Sequence, residues 1–222
     1  MVGARGIGIC ARDVREGSGF APGMCARDRE SGPGCERGFV PGGRGQWQTM
    51  PMRNLIWVAF TEPVSQGLVF PRSDWPLHIT LLRFDVGADV SADVADVLAN
   101  LAEAPVKGAL GTRLWVGEEA GFGHLGSIPV SLIERNPLLQ GLHEEIVEAA
   151  AGVGARIATP NYILENYRPH ISHHDGKRPK PGDVVVLDQV ALVDMAPEGD
   201  HSIRRILRLW TQEAQSLRKG SS

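Results

Sequence analysis

The chain has 222 residues, 42% of them apolar, and a formal net charge of −3 at pH 7, which suits one large domain or two small ones. This charge excludes nonspecific adhesion to nucleic acid or acidic membranes, and no apolar run is long enough to span a membrane. All three cysteines lie within residues 10–35, so the rest of the chain has no disulfide framework, which indicates a cytoplasmic protein.

Residues 1–49 differ in composition from the rest of the chain. They contain 12 of the 27 glycines and seven arginines against five acidic residues, without apolar periodicity. Such a segment buries too little apolar surface to offset its conformational entropy. We predict a disordered Gly/Arg-rich tail or a misassigned start, because Met50 and Met52 directly precede the first strand-like run. An RNA-binding arginine–glycine tail is an alternative that the interspersed acids weaken.

Apolar runs predict the elements of the first half of the remaining chain. The sequences LIWVAF at 55–60 and LHITLLRF at 77–84 are rich in β-forming residues and predict two strands. Capping and periodic valines and leucines predict a helix from Ser91 to Pro105. The glycine-interrupted run at 106–116 predicts a further strand.

The second half repeats this arrangement. A helix is predicted over 137–151, with Asn136 as its N-cap and Pro137 as its first residue. Pro129 suggests that the strand containing it lies at a sheet edge. The predicted strands cover 126–133, 168–174 and 184–195, and a final segment over 201–212 fits either a strand or a helix.

These elements alternate without regular βαβ spacing, and no glycine-rich phosphate loop follows the first strand. We therefore predict an α+β fold with two pseudo-symmetric lobes, whose antiparallel sheets surround a central cleft. The predicted domain covers residues 50–213, and residues 214–222 form a flexible C-terminus. We expect the protein to be a monomer.

Two strands carry the same short motif, one in each half of the chain. His78-Ile79-Thr80 and His170-Ile171-Ser172 both place a histidine and a hydroxyl two residues apart. Residues two apart on a strand face the same side, so each motif presents an imidazole and a hydroxyl together. If the lobes pack symmetrically, two histidines and two hydroxyls converge on the cleft.

This set of side chains suits attack at phosphorus. A neutral histidine removes a proton from the attacking oxygen, and a protonated histidine donates one to the leaving oxygen. The hydroxyls of Thr80 and Ser172 would bind the phosphate oxygens, where charge accumulates. No metal or cofactor is needed. A single His-x-Thr is common and carries little information, so the hypothesis depends on the paired occurrence.

A zinc site in HISHHD, residues 170–175, is the alternative chemistry. On an extended strand His170 and His174 would be ~13 Å apart, too far for one metal ion, and His173 faces the other side. Only a sharp bend after Ser172 would bring these ligands together. No Gly-x-Ser-x-Gly elbow surrounds Ser172, so serine nucleophilic catalysis is also disfavoured.

The paired HIT and HIS motifs resemble those of the two-histidine phosphoesterase superfamily, which includes the 2′-5′ RNA ligase-like proteins and cyclic phosphodiesterases. The resemblance covers residues 53 to about 212. It implies a bilobal α+β fold and metal-independent hydrolysis of 2′,3′-cyclic phosphates or 2′-5′ linkages in RNA or nucleotides. It also implies that His78 and His170 are the catalytic pair and that Thr80 and Ser172 bind phosphate.

The chain departs from many relatives after both motifs: HHDG follows the second in place of an apolar residue and an arginine. These relatives have an arginine four residues beyond the first histidine, whereas this chain has Leu82 there and Arg83 one residue later, predicted on the opposite strand face. The candidate substrate-binding residues near the motifs are His174, Arg168, Tyr162 and Trp75. For the aromatic pair, packing is the competing role. His143 is predicted to be an exposed helix residue.

Two function classes remain. The first is a phosphodiesterase that processes RNA or nucleotides. The second is a nucleotide- or RNA-binding module that keeps the cleft without turnover. Both motifs are intact, and a binding-only protein would be free to lose a histidine, so the sequence favours the enzyme.

Overall fold

The structure, a computed structural model, describes residues 52–87, 94–174 and 176–212. The predicted tail over 1–49, the predicted N-cap Ser91 and the predicted flexible C-terminus over 214–222 lie outside the described residues. The helices and strands are β1 (Met52–Phe60), β2 (Val69–Pro71), β3 (His78–Gly87), α1 (Val94–Ala109), β4 (Arg113–Phe122), β5 (Ile128–Ile133), α2 (Pro137–Gly152), β6 (Arg156–Ile157), β7 (His170–Ser172), β8 (Val184–Val186), β9 (Gln189–Asp194) and β10 (Ile203–Thr211).

The strands form a continuous antiparallel sheet in the order β2-β10-β9-β1-β3-β7-β5-β4-β8, and β6 pairs with β3 outside this path. The two halves of the sheet meet at β3 and β7, which are joined by a single residue pair, Ile79 with Ile171. One lobe therefore ends on the strand with the first motif, and the other begins on the strand with the second. The predicted α+β fold with two lobes is confirmed.

The main core lies between the sheet and the two helices. It contains Leu55 and Trp57 of β1, Leu98 of α1 and Ile146 of α2, all at most 1% exposed. We call this side of the sheet the helix face. The opposite side, the cleft face, carries a second apolar cluster: Ile56, Val58, Phe60, Phe70, Ala191, Val193 and Ile206. Side chains alternate between the two faces along β1, and a residue on β3 or β9 faces the same side as its partner on β1.

The first helix extends further than predicted. It continues through Pro105 to Ala109, and the next strand begins at Arg113. The strand predicted over 106–116 was therefore wrong up to residue 112 and is confirmed over 113–116. A proline inside a helix removes one backbone hydrogen bond. Val106 and Ala109 are buried in the core, so packing of the last turn offsets that loss.

Other elements follow the sequence more closely. Asn136 caps α2 as predicted, because its Oδ1 accepts hydrogen bonds from the backbone of Leu138 and Leu139 at 3.0 and 3.1 Å. The final segment is the strand β10. Pro129 does not mark an edge, because β5 lies between β7 and β4. No helix in the described part of the chain is long and apolar enough to cross a membrane.

Candidate active site

Alternation along β3 and β7 directs both His-x-hydroxyl motifs to the same face of the sheet. Ile79 and Ile171 pair across the two strands, and both are buried in the main core on the helix face. The residues on either side of each isoleucine therefore project to the cleft face. Four partly buried side chains lie there on adjacent strands: His78, Thr80, His170 and Ser172.

Each motif histidine is held through Nδ1 by a carbonyl two residues earlier in the chain. His78 Nδ1 donates to the Pro76 carbonyl at 2.8 Å, and His170 Nδ1 donates to the Arg168 carbonyl at 2.9 Å. Because a carbonyl oxygen only accepts, Nδ1 carries the proton in both rings. Nε2 is then the nitrogen that can exchange a proton with a bound molecule. The two lobes thus orient their histidines in the same way.

An aromatic ring packs against each of these imidazoles. The Trp75 ring centroid lies 4.6 Å from that of His78, and the Phe122 centroid lies 4.5 Å from that of His170. The guanidinium of Arg168 lies 5.2 Å from the Phe122 centroid, in a cation–π contact. Trp75 therefore packs on a motif histidine, and Phe122 is a site residue that the sequence analysis missed.

The pKa values of both histidines are below the ordinary value for histidine. The pKa of His78 is lowered to about 4, chiefly by burial; the bond to Pro76 opposes this shift, and the electrostatic effect of the His174 and His170 imidazoles adds to it. Burial also lowers the pKa of His170, as does the charge of Arg168. Both lowered pKa values favour neutral imidazoles at pH 7.

A β-bulge in β3 changes which side chains reach the cleft. The register between β1 and β3 shifts between Trp57 and Val58, so Leu81 is an extra residue. Arg83 consequently pairs with Ile56, which belongs to the apolar cluster on the cleft face. The predicted position of Arg83 on the opposite face from the first motif was wrong. The extra residue shifts the alternation by one, so that Arg83 rather than Leu82 lies on the face of the first motif.

Two stacked rings hold this bulge in place. His143 Nδ1 donates to the Leu81 carbonyl at 2.7 Å, and the Tyr167 hydroxyl donates to the Thr80 carbonyl at 2.9 Å. The ring centroids of His143 and Tyr167 are 3.9 Å apart, and His143 Nε2 accepts from the Leu164 backbone at 2.9 Å. The prediction that His143 is exposed was wrong: it is 1% exposed, because this side of α2 packs on the sheet.

The bulge borders a cavity of about 490 Å³, which lies on the side of β3 that faces β7. The strand β7 pairs with β3 only at Ile79, and β6 pairs with it only at Phe84 and Asp85, so residues 80–83 between these contacts line the cavity. Other side chains that line the cavity include Phe122, Tyr162, Tyr167, Arg168 and His170.

Four predicted site residues therefore share one cavity: Thr80, His170, Tyr162 and Arg168. The Tyr162 side chain is 68% exposed at the rim, which leaves its ring available to a ligand rather than committed to packing. The other predicted residues do not line this cavity: His78, Ser172, Trp75 and His174. Trp75 and His78 lie before and in the first motif, and Ser172 and His174 lie in and after the second.

Hydrogen bonds through Lys177 and Glu62 connect the segment around His174 to the first motif. The His174 backbone exchanges two hydrogen bonds with that of Lys177, at 2.7 and 3.2 Å. Lys177 Nζ donates to Glu62 Oε1 at 2.9 Å, and Glu62 Oε2 accepts from the Leu77 backbone at 2.9 Å. Glu62 thus joins the residue preceding His78 to the turn that follows His174, and no sequence signal identified it.

His173 faces away from this site, as expected from alternation. Its Nε2 bonds to the Ser131 hydroxyl at 2.9 Å, and Ser131 is fully buried. Among the described residues no group of three or more His, Cys, Asp or Glu side chains is arranged to hold a metal ion. Asp175, the last residue of the zinc alternative, lies outside the described residues.

We expect the stability of the protein to fall as the pH is lowered from 7 toward 4. The folded-state pKa of His78 lies below that of the unfolded chain, so the unfolded state binds more protons between about pH 6.5 and 4. His143 and His170 act in the same direction. Thermal unfolding across this range should show the decrease, with each 1 kcal/mol lost lowering Tm by about 2–4 °C.

His78→Asn is the matched control for this measurement. Its side-chain amide keeps a donor for the Pro76 carbonyl but does not titrate, so the variant should depend less on pH than the parent protein. Equal pH dependence in both proteins would contradict the assignment to His78.

The sequence model of the 2′-5′ RNA ligase superfamily matches residues 56–207, which is more than half of the chain. The chain belongs to the 2′-5′ RNA ligase superfamily. The matched region extends from β1 to β10 and contains both His-x-hydroxyl motifs. The family suggested by these motifs is therefore confirmed, and with it the broad class of phosphoesterase- and ligase-type proteins.

Several solved structures are similar to this superfamily member. The crystal structures of a phosphoesterase and of Escherichia coli LigT complexed with 3′-AMP are each 19% identical, with a TM-score of 0.45, and each match covers 72% of this chain and 98% of the other. A crystal structure of a protein from Thermus thermophilus is 16% identical, with a TM-score of 0.40 and coverage of 71% and 97%. No curated protein sequence matches this chain.

Proposed function

We propose that the protein is a metal-independent phosphodiesterase that hydrolyses 2′,3′-cyclic phosphates or 2′-5′ linkages in RNA or nucleotides. The observation that carries the proposal is the matched orientation of His78 and His170. Each ring is fixed by a carbonyl on Nδ1, and each presents Nε2 on the cleft face of adjacent strands. Family membership supports the same reaction class.

Hydrolysis needs one base and one acid on opposite sides of the phosphorus atom. In the proposed reaction His78 Nε2 accepts a proton from water as the water oxygen bonds to phosphorus. His170, protonated once the anionic substrate is bound, donates its Nε2 proton to the oxygen whose bond to phosphorus breaks. The low pKa of His78 supports its assignment as the base, because this ring is neutral at pH 7. The product is a phosphomonoester.

The hydroxyls and the cavity complete the proposed site. Thr80 and Ser172 donate hydrogen bonds to the non-bridging phosphate oxygens. The cavity beyond Thr80 and His170 takes the adjoining nucleoside, with Tyr162 at its rim as a stacking surface and Arg168 as a cation near the phosphate. His174 adds a further imidazole beside His78, and Trp75 holds the His78 ring in position.

The direct test uses the purified full-length chain with chelator present. It is incubated with nucleoside 2′,3′-cyclic phosphates and 2′-5′-linked dinucleotides, and with 3′-5′-linked dinucleotides as a control. We expect turnover of the first or second group that is unchanged by chelator. Activity lost in chelator and restored by zinc would contradict the proposal. Tight binding without turnover would instead favour a nucleotide-binding module.

Measuring the molecular mass of the same preparation in solution tests whether the protein is a monomer, as expected.

We expect Tyr162→Ala to raise KM with little change in kcat. A base stacked on an aromatic ring contributes about 1–3 kcal/mol by alanine substitution, so the expected increase is roughly tenfold. Tyr162→Phe is the matched control, because it keeps the ring and removes only the hydroxyl. Steady-state kinetics on a cyclic mononucleotide measures both variants, and an equal loss in the two would show that stacking is not the role of this ring.

A further inference from the structure

Three arginines form a second cationic group on the cleft face, which we call the arginine cluster: Arg72, Arg83 and Arg204. Arg204 pairs with Phe70, a member of the apolar cluster on that face. The Arg72 backbone donates to the Ser202 carbonyl at 2.7 Å, which extends the ladder between β2 and β10 by one residue. Arg72 and Arg204 are therefore diagonal neighbours on the same face of two paired strands.

Arg83 joins this cluster from the side of the catalytic histidines. The bulge turns it onto the cleft face, and its Nε donates to Asn54 Oδ1 at 3.3 Å, toward the neighbouring strand β1. The Asn54 carbonyl accepts from the Met195 backbone, and the Met195 carbonyl accepts from Arg204 Nη1 at 2.5 Å. This row of contacts crosses from β3 to β10, and the charges of Arg72 and Arg83 both act on the Arg204 guanidinium.

The positive charge of the cluster is not neutralised within the described part of the chain. Arg204 is 5% exposed, and its Nη1 donates to the carbonyls of Met195, His201 and Ile203. Its Nε is buried without a partner. None of the three arginines forms an ion pair among the residues that the structure describes.

The acids near the cluster are already engaged by other cations. Asp194, whose charge reaches Arg204, is bonded to Arg53 at 2.8 Å, and Asp85 is bonded to Arg156 at 2.8 Å. Burying a positive charge without a hydrogen-bonded carboxylate carries a large desolvation free energy. Binding an external anion beside it would offset that free energy. The exposed side chains of Arg72 and Arg83 are the groups that such an anion would contact.

We propose that the arginine cluster binds a phosphate of single-stranded RNA other than the reacting one, so that the substrate is an oligonucleotide rather than a mononucleotide. The proposal rests on the proposed function, because it takes the reacting phosphate to lie at His78 and His170. Arg83 is about 13 Å from His78 along β3, allowing for the bulge. It also lines the cavity assigned to the nucleoside, so the next phosphate of a longer strand leaves that cavity at Arg83.

The test compares binding of a labelled hexaribonucleotide and a mononucleotide, both ending in a 3′-phosphate that is not turned over. Fluorescence anisotropy is measured over a range of salt concentrations with the parent protein, Arg72→Gln and Arg205→Gln. Arg205 is the matched control. Its substitution removes the same charge, but residue 205 is opposite Asp194 in the strand register, which directs its side chain to the helix face, where it is bonded to Glu198 at 2.9 Å.

We expect the parent protein to bind the hexanucleotide more tightly than the mononucleotide. Arg72→Gln should weaken hexanucleotide binding roughly tenfold, the effect of one charge-assisted hydrogen bond, and lower the salt slope by about 0.7. Mononucleotide binding should not change, and Arg205→Gln should change neither ligand.

Equal effects of Arg72→Gln and Arg205→Gln, or equal affinity for both ligands, would overturn the proposal. Because the readout is binding, it is separate from catalysis. Hexanucleotide binding that depends on Arg72, combined with no turnover of any cyclic phosphate, would contradict the proposed function but support the phosphate site at the arginine cluster.

Discussion

His78→Ala and His170→Ala are each expected to lower kcat/KM for a cyclic phosphate by about 10²–10⁴-fold. Each substitution removes a proton-transfer partner, and this is the typical contribution of a positioned acid or base. The two imidazoles act in one step, so the double variant should lose far less than the product of the two single losses. Initial rates with saturating and subsaturating substrate provide the comparison.

His201→Ala is the matched control for these variants. This histidine is exposed in a turn before β10, away from both motifs, and its removal should leave the rate unchanged. Circular dichroism and thermal unfolding would establish that the single variants are folded. A folded His170→Ala variant with the parent rate would exclude the two-histidine mechanism, whatever the effect of His78→Ala.

The dependence of kcat/KM on pH provides a second test of the two-histidine mechanism. A reaction that needs one neutral and one protonated imidazole gives a bell-shaped dependence, whose limbs belong to the coupled pair. Because burial holds the pKa of His78 low in the unliganded protein, the acidic limb of kcat/KM is expected below the ordinary histidine range. A profile that keeps rising above pH 9 would indicate a different general acid.

The sequence predicted the two motif strands because its signal there is local. Ile79 and Ile171 alternate with polar residues, and alternation alone directs the histidines and hydroxyls to one face. The helix α2 was predictable for the same reason, since Asn136 and Pro137 are start signals in adjacent positions. That β3 and β7 meet depends on contacts between residues far apart in sequence, and only the repeated motif pointed to it.

The bulge at Leu81 could not be predicted, because a period-two pattern gives no sign of an inserted residue. Its position depends on a carbonyl bonded by His143, which is 62 residues away in the chain. His143 itself appeared exposed, since a lone polar residue on a helix usually faces solvent. The side chain of Phe122 was missed because the glycines and acids around it gave no signal that it would meet His170.

Pro105 shows the limit of a local stop signal. A proline usually ends a helix, but here two buried residues follow it within the same helix, Val106 and Ala109. Tertiary packing outweighed the local rule, and the next strand was consequently predicted to begin too early.

Thr80→Val and Ser172→Ala are expected to lower kcat/KM by about ten- to a hundredfold each, less than the loss of either histidine. Each removes a hydrogen bond to a charged phosphate oxygen, which contributes about 1.5–3 kcal/mol. Valine keeps the shape of threonine, so the loss at residue 80 reports the hydroxyl and not a cavity. Thr80→Ser restores the hydroxyl and should recover most of the rate. If Thr80→Val kept the parent rate while Thr80→Ser was impaired, the methyl group and its packing would be the important feature of residue 80, and the phosphate contact would have to come from Ser172 alone.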